Sequence, residues 1–177
     1  MISGFSWHGF EISAIELFEK LRQEKHIHPD KVTFLSILKT CSNVGATEQG
    51  KLTHDLLVKN GLEGDLLIEG ALIDMYVHCG LIESAHGVLC KMPSRDIISW
   101  TTLIGGYVKQ GYSQEALDCV TRMQCEDITS NTYSLMFGLK ACGSLGTEAK
   151  GREIHGEITM KGLGFLVGCP FLSSALV

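Results

Sequence analysis

The fragment of this chain that most suggests catalysis is His155-Gly-Glu157, followed by Cys169-Pro170. A His-x-Glu ahead of Pro-Cys-x-x-Cys is how nucleobase deaminases hold zinc and place a general acid–base. Here cysteine precedes proline and no second cysteine follows, so the zinc set is incomplete. His26-Ile-His28 has no cysteine pair at zinc-finger spacing. The seven cysteines (Cys41, Cys79, Cys90, Cys119, Cys125, Cys142 and Cys169) are odd in number and include no Cys-x-x-Cys pair. They read as thiols of a reducing compartment, most of them small apolar core residues. No P-loop, glycine-rich dinucleotide loop or nucleophilic triad is present. The expectation is a non-enzyme without metal or other cofactor.

The other chemistry open to polar side chains is recognition by hydrogen bonds, and for this the spacing of residues matters. Lys39, Cys41, Gly50, His54 and Gly61 recur as Lys140, Cys142, Gly151, His155 and Gly162, each 101 residues later. His54 is followed by Leu56 where His155 has Glu157, so a repeated helix histidine accounts for both. Gly4, Gly9 and Ala14 recur as Gly106, Gly111 and Ala116 at a shift of 102. The long period is composite. Leu72-Ile73, Gly80 and Ala85 match Leu103-Ile104, Gly111 and Ala116 at 31 residues, and Leu35 to Gly70 and Thr101 to Met136 are steps of 35. Periods of this size mark a repeat array. The units are 1–30 (lacking its start), 31–65, 66–96, 97–131 and 132–166. A stub follows at 167–177, in which Ser174-Ala-Leu-Val resembles Gly70-Ala-Leu-Ile.

Each unit reads as two helices. In the fourth, the first helix is predicted over Trp100–Lys109, with Gly111 ending it in the left-handed conformation. Ser113 is the predicted N-cap of the second helix, with Gln114 and Glu115 in its first turn. Ala116, Leu117, Val120 and Met123 then share one face, as do Ala14, Ile15, Phe18 and Leu21 in the first unit. That spacing is helical rather than alternating. One hairpin cannot bury such a face alone, whereas stacked hairpins can. The predicted fold is all-α, a right-handed α-solenoid of helix-turn-helix repeats.

Composition agrees with this. The 177 residues are 45% hydrophobic and 20% charged, which excludes a disordered tail. Fifteen Lys and Arg against twenty Asp and Glu leave a net charge of −5, so no strongly basic surface is visible in the total. Only Pro29, Pro93 and Pro170 interrupt helix formation. No run of eighteen apolar residues predicts a membrane span. The N-terminus resembles neither a signal peptide nor an Arg-rich presequence, and both ends look cut, as in a piece of a longer protein.

The units also carry a family resemblance. Ile98-Ser-Trp-Thr-Thr-Leu-Ile-Gly-Gly-Tyr-Val-Lys-Gln-Gly111 resembles the first helix of a plant pentatricopeptide repeat. Gly70-Ala-Leu-Ile-Asp-Met-Tyr-Val-His-Cys-Gly80, ending in Lys91-Met-Pro-Ser-Arg-Asp96, is similar to the short variant of that repeat. Thr33-Phe-Leu-Ser-Ile-Leu-Lys-Thr-Cys41 with Gly50-Lys-Leu-Thr-His54 is similar to the long variant. Ordinary, long and short units alternate as in the PLS subclass, over nearly the whole chain. The resemblance implies binding of single-stranded RNA in a plant mitochondrion or chloroplast, about one base per repeat, to position editing or processing machinery. Editing-factor proteins are further expected partners; DNA and membranes are not.

In that family two residues do most of the reading, one near the start of the first helix and one at the end of the repeat. The resemblance therefore implies the pairs Leu35 with Asp65, Gly70 with Asp96 and Thr101 with Asn131. Met136 has Leu166 as its candidate partner, and the first unit keeps only Asp30. A carboxylate only accepts hydrogen bonds and so suits the N–H of uracil or guanine, whereas an Asn amide can also donate to adenine N1 or cytosine N3. In the family Thr at the first position marks a purine, so Thr101 with Asn131 implies adenine. Leu35 and Met136 cannot hydrogen-bond a base, and Gly70 leaves Asp96 to act alone. Val32, Leu67, Ile98 and Tyr133 occupy the slot whose side chain packs on the base face. Lys39, Lys109 and Lys140 are the phosphate candidates.

The bland alternatives are that Thr101 merely starts a helix, that Asn131 is a turn residue after Ser130, and that the slot residues pack at the core edge. The alternative function is a protein-binding helical scaffold of the tetratricopeptide type. Its units hold a near-constant length of about 34 residues, whereas these alternate 31 and 35.

Overall fold

In the computed structural model of the chain, residues 11–23 and 29–162 are described, and their regular elements are nine α-helices. Gly4, Gly9, His26, His28, Leu166, Cys169, Pro170 and the 167–177 stub lie outside the described residues. The chain divides into two compact units, residues 1–95 and 96–177.

The first unit contains α1 (Glu11–Gln23), α2 (Lys31–Val44), α3 (Thr47–Lys59), α4 (Leu66–His78) and α5 (Ile82–Lys91). α2 packs on α1, on its hairpin partner α3 and on α4, and α4 packs on α5. Ala14 and Phe18 of α1 are buried, and Phe18 meets Phe34 edge-on at 6.2 Å. Phe34, Ile37, Leu38, Ile73, Met75 and Leu89 are fully buried between these helices. His54 on α3 shares a 2.7 Å hydrogen bond with the Tyr76 hydroxyl on α4. Burial lowers the His54 pKa and pushes Tyr76 up to about 12, so both are neutral at pH 7.

The second unit contains α6 (Ile97–Gln110), α7 (Ser113–Cys125), α8 (Thr132–Leu145) and α9 (Glu148–Met160). α6 packs on α7 and α8, α7 on α8, and α8 on α9. Trp100, Leu103 and Ile104 of α6 are buried with the Ala116, Leu117, Val120 and Met123 face of α7. The Trp100 indole N–H donates to Glu126 at 3.2 Å, which satisfies the one polar atom of this fully buried ring.

Two local expectations are corrected. The first helix of this unit starts at Ile97, three residues before Trp100, because the Asp96 side chain caps it by accepting from the Ser99 N–H. Ser113 is the first residue of α7 rather than its cap. Gly111 does end α6 with φ +85°. Tyr112, at φ −82° and ψ 68°, then forms an inverse γ-turn in which Ser113 N–H donates to Gly111 C=O at 3.0 Å. The same turn, centred on Ala46 and on Thr147, leads into α3 and α9. This turn delivers the chain into the second helix without a side-chain cap, leaving Ser113 buried in the first turn. Of the described cysteines, Cys41, Cys119 and Cys142 are buried, Cys79 is half-buried, and Cys90 and Cys125 are exposed. The expectation of core thiols thus holds for half of them.

Gly50 and Gly151 hold the same place in the repeat yet differ in crowding. A Cβ on Gly50 would collide with Met75 Sδ, whereas one on Gly151 would make an ordinary 3.6 Å contact with Cys142 Cβ. Gly50→Val is expected to destabilise the protein by about 1–3 kcal/mol through overpacking. Gly151→Ala is expected to stabilise it by up to about 1 kcal/mol through helix propensity. Urea unfolding of both variants checks the contrast, and equal effects would contradict it.

Candidate functional site

Asp30, Asp65, Asp96 and Asn131, the residues expected to end four repeats, all act as N-caps of the helix that follows. Asp30 Oδ1 accepts from Thr33 N–H at 2.8 Å, and Asp96 Oδ1 from Ser99 N–H at 2.8 Å. Asp65 Oδ1 accepts from Leu67 and Ile68 N–H at 3.1 and 3.2 Å. Asn131 Oδ1 accepts from Ser134 N–H at 2.8 Å, and the Ser134 hydroxyl in turn accepts from the Asn131 N–H at 3.0 Å. Asn131 is therefore a capping residue inside a reciprocal box rather than a plain turn residue. The Thr33 bonds hold the Asp30 carboxyl below its ordinary pKa. For Asp65 the Lys31 side chain is the largest cause of the same lowering.

The cap decides which atom each side chain has left. A backbone N–H can be met only by an acceptor, so the Asn131 amide must turn its oxygen to Ser134 and its nitrogen away. An Asp in the same seat turns away a second acceptor. Asp and Asn at one backbone position thus present opposite hydrogen-bonding characters, an acceptor and a donor.

Thr101 lies half-buried on α6, and its hydroxyl donates to Asn131 Oδ1 over a long 3.4 Å contact. Their side chains are therefore neighbours. Leu35, Gly70 and Met136 hold the corresponding places on α2, α4 and α8, each half-buried. Val32, Leu67, Ile98 and Tyr133 stand in the first turn after each cap and are 59%, 64%, 67% and 64% exposed. That exposure is incompatible with packing at the edge of the core.

The lysines differ among themselves. Lys39 Nζ lies 3.6 Å from Asp74, which also holds the Ser42 hydroxyl and His78. Lys109 and Lys140 are exposed and make no ion pair among the described residues. Glu157 is engaged by Lys161 at 2.8 Å and by the Gln124 amide at 3.2 Å, the latter a helix-to-helix tie.

Two contributors escaped the sequence reading. Lys31 Nζ donates to Asp65 Oδ2 at 2.6 Å, and Lys161 Nζ donates to the Ser130 carbonyl at 2.7 Å, steadying the turn before Asn131. Each joins residues more than thirty positions apart. The only signal for Lys31 is that Leu66, Ile97 and Thr132 occupy its place in the other repeats, none of them charged.

Comparison with known proteins places these features. A family model described as PPR repeat family matches residues 95–142, and one described as PPR repeat matches residues 1–26 and 70–97. A pentatricopeptide repeat-containing protein of Arabidopsis thaliana is 35% identical over 167 residues, 94% of this chain and 23% of that protein. Two others from the same plant, one named chloroplastic and one mitochondrial, are 36% and 34% identical over 88% and 85% of this chain, and over 25% and 27% of their own length. The chain thus spans about a quarter of these relatives. Among solved structures, the maize pentatricopeptide repeat protein PPR10 aligns with a TM-score of 0.72 at 25% identity, over 86% of this chain and 22% of that one. In complex with an 18-nucleotide psaJ RNA element it aligns with a TM-score of 0.66 at 26% identity, over 82% and 22%.

The capping bond of Asn131 gives a stability expectation. Asn131→Ala should cost about 1 kcal/mol by removing the cap, whereas Asn131→Asp should stay within a few tenths. Urea unfolding of the two variants checks this; an Ala variant as stable as the wild type would contradict the cap.

Proposed function

Because this chain belongs to the pentatricopeptide repeat family, an all-α helical-repeat solenoid fold, we propose that it binds single-stranded RNA, about one base per repeat, in a plant mitochondrion or chloroplast. The observation that carries the proposal is the Asn131 side chain. Its oxygen is committed to the cap and to Thr101, so its amide nitrogen is the atom left to meet a ligand. That donor matches adenine N1 or cytosine N3, and Thr101 beside it fits the family's purine mark. The repeat 97–131 is accordingly the adenine-selecting unit. Asp96 offers only an acceptor and selects uracil or guanine weakly.

Ile98 and Tyr133 stand exposed in the first turns after Asp96 and Asn131. Their apolar surface supports packing against base faces, with an aromatic such as Tyr133 contributing about 1–3 kcal/mol by stacking. Lys109 and Lys140 are the phosphate contacts, each adding to the loss of affinity with salt. Lys39 is a weaker candidate because Asp74 already neutralises it. The organellar setting rests on relatives named chloroplastic and mitochondrial. The repeats would position an editing or processing activity supplied elsewhere.

Selection of the chain against randomised single-stranded RNA tests the proposal. Asn131→Asp should move preference at one nucleotide from adenine toward guanine, by about two- to tenfold, the range of one net hydrogen bond. Thr101→Asn should move the same nucleotide toward a pyrimidine. Binding unchanged at every position in both variants would overturn the assignment, and a chain that captures no RNA would favour the protein-scaffold alternative.

A further inference from the structure

Lys31 opens α2 and reaches the last residue of its own 31–65 repeat. Its ammonium donates to Asp65 Oδ2 at 2.6 Å, while Asp65 Oδ1 is held by the Leu67 and Ile68 N–H groups. Both carboxylate oxygens are thus committed. At Asp30, Asp96 and Asn131 the cap side chain has no cation paired with it among the described residues. At Asp96 and Asn131 the difference follows from sequence, because Leu66 and Ile97 stand where Lys31 stands in its own repeat.

We propose that Lys31 is a specificity-determining residue that silences the 31–65 repeat. By occupying Asp65 Oδ2 it removes the acceptor that would otherwise select a base bearing a ring N–H, so this repeat accepts all four bases alike. The inference rests on the RNA reading proposed above. A uracil or guanine ring N–H would have to displace a charge-assisted bond to make a weaker neutral-donor one, so the exchange gains little. Leu35, the other reading residue of this repeat, offers no polar group in its place. The repeat becomes a spacer between reading units, which a one-residue change reopens. The ion pair also ties the starts of α2 and α4 together, and base preference separates that structural role from the proposed one.

The test is selection and oligonucleotide binding with the whole chain as wild type, Lys31→Met, Asp65→Asn and the double variant. Adenine chosen by Thr101 and Asn131 sets the register, and the nucleotide of interest lies two repeats away. Wild type and Asp65→Asn should show less than about twofold spread among the bases there, whereas Lys31→Met should gain an about two- to tenfold preference for uracil or guanine. The double variant should lose that gain. NMR titration should show the Asp65 carboxyl moving up toward its ordinary range in Lys31→Met.

Three results would overturn the proposal. Wild type could already show a uracil or guanine preference that Asp65→Asn abolishes. Lys31→Met could leave the four bases equivalent while adenine selection at Asn131 persists. It could also weaken binding equally for all sequences with a shallower salt dependence, which would make Lys31 a phosphate contact. A wild-type chain that selects no base anywhere would instead refute the RNA reading itself, and the silencing role with it.

Discussion

The capping hydrogen bond from the last residue of one repeat to the first turn of the next helix is the constraint on which the rest depends. It sets where α2, α4, α6 and α8 begin, through Asp30, Asp65, Asp96 and Asn131. The same bond fixes the rotamer of each capping side chain, because one oxygen must face a backbone N–H. It therefore also fixes which atom is turned outward. Asn and Asp are among the preferred N-caps, and both carry a second polar atom on a planar group. They differ in that atom alone, a donor in Asn and an acceptor in Asp. Recognition chemistry can then vary while the fold stays the same. Placing the next exposed side chain, such as Ile98 or Tyr133, in the turn just beyond the cap is a further consequence of the same geometry.

The two helices of a repeat are begun by different devices, and this keeps the functions apart. First helices are started by side chains, which leaves those side chains available to do more. Three second helices are started by backbone alone, through a left-handed glycine and an inverse γ-turn at Ala46, Tyr112 and Thr147. No recognition residue is needed there, and the inter-helix ties are structural. His54 with Tyr76 binds α3 to α4, and Glu157 with Gln124 binds α9 to α7. Glu157 of the imperfect His-x-Glu belongs to that group of ties. Thr101, by contrast, is set on a first helix beside Asn131, within the part of the repeat where side chains rather than backbone begin the helix.

Much of this was legible in the residues. The period carried by Gly111 and Ala116 and the helical spacing of Ala116, Leu117, Val120 and Met123 follow from local pattern, whereas the pairing of Thr101 with Asn131 is what the family resemblance implies. The start of α6 lies earlier than expected because Asp96, read only as the residue ending its repeat, also caps the helix and extends it back to Ile97. Ser113 was misread because a serine before an acidic turn is the usual cap signal; the γ-turn that replaces it leaves no side-chain trace. Lys31 with Asp65 and Lys161 with Ser130 were beyond reach, since each bond spans more than thirty residues and exists only once the helices are stacked. Crowding is likewise a property of packing. Gly50 and Gly151 are equivalent in sequence, yet only at Gly50 does a methionine side chain occupy the place of a Cβ and have to shift for one.

The central claim is that one side chain caps a helix and recognises a base at the same time, with different atoms. It is tested most directly by following the side-chain amide of isotopically labelled Asn131 by NMR while single-stranded RNA containing adenine is added. A large shift of the Asn131 amide protons is expected, with the Ser134 backbone amide still protected by its cap bond, and a much smaller response to the same RNA with uracil in place of adenine. An Asn131 amide that ignores the RNA, or a Ser134 N–H that loses its protection as RNA binds, would contradict it.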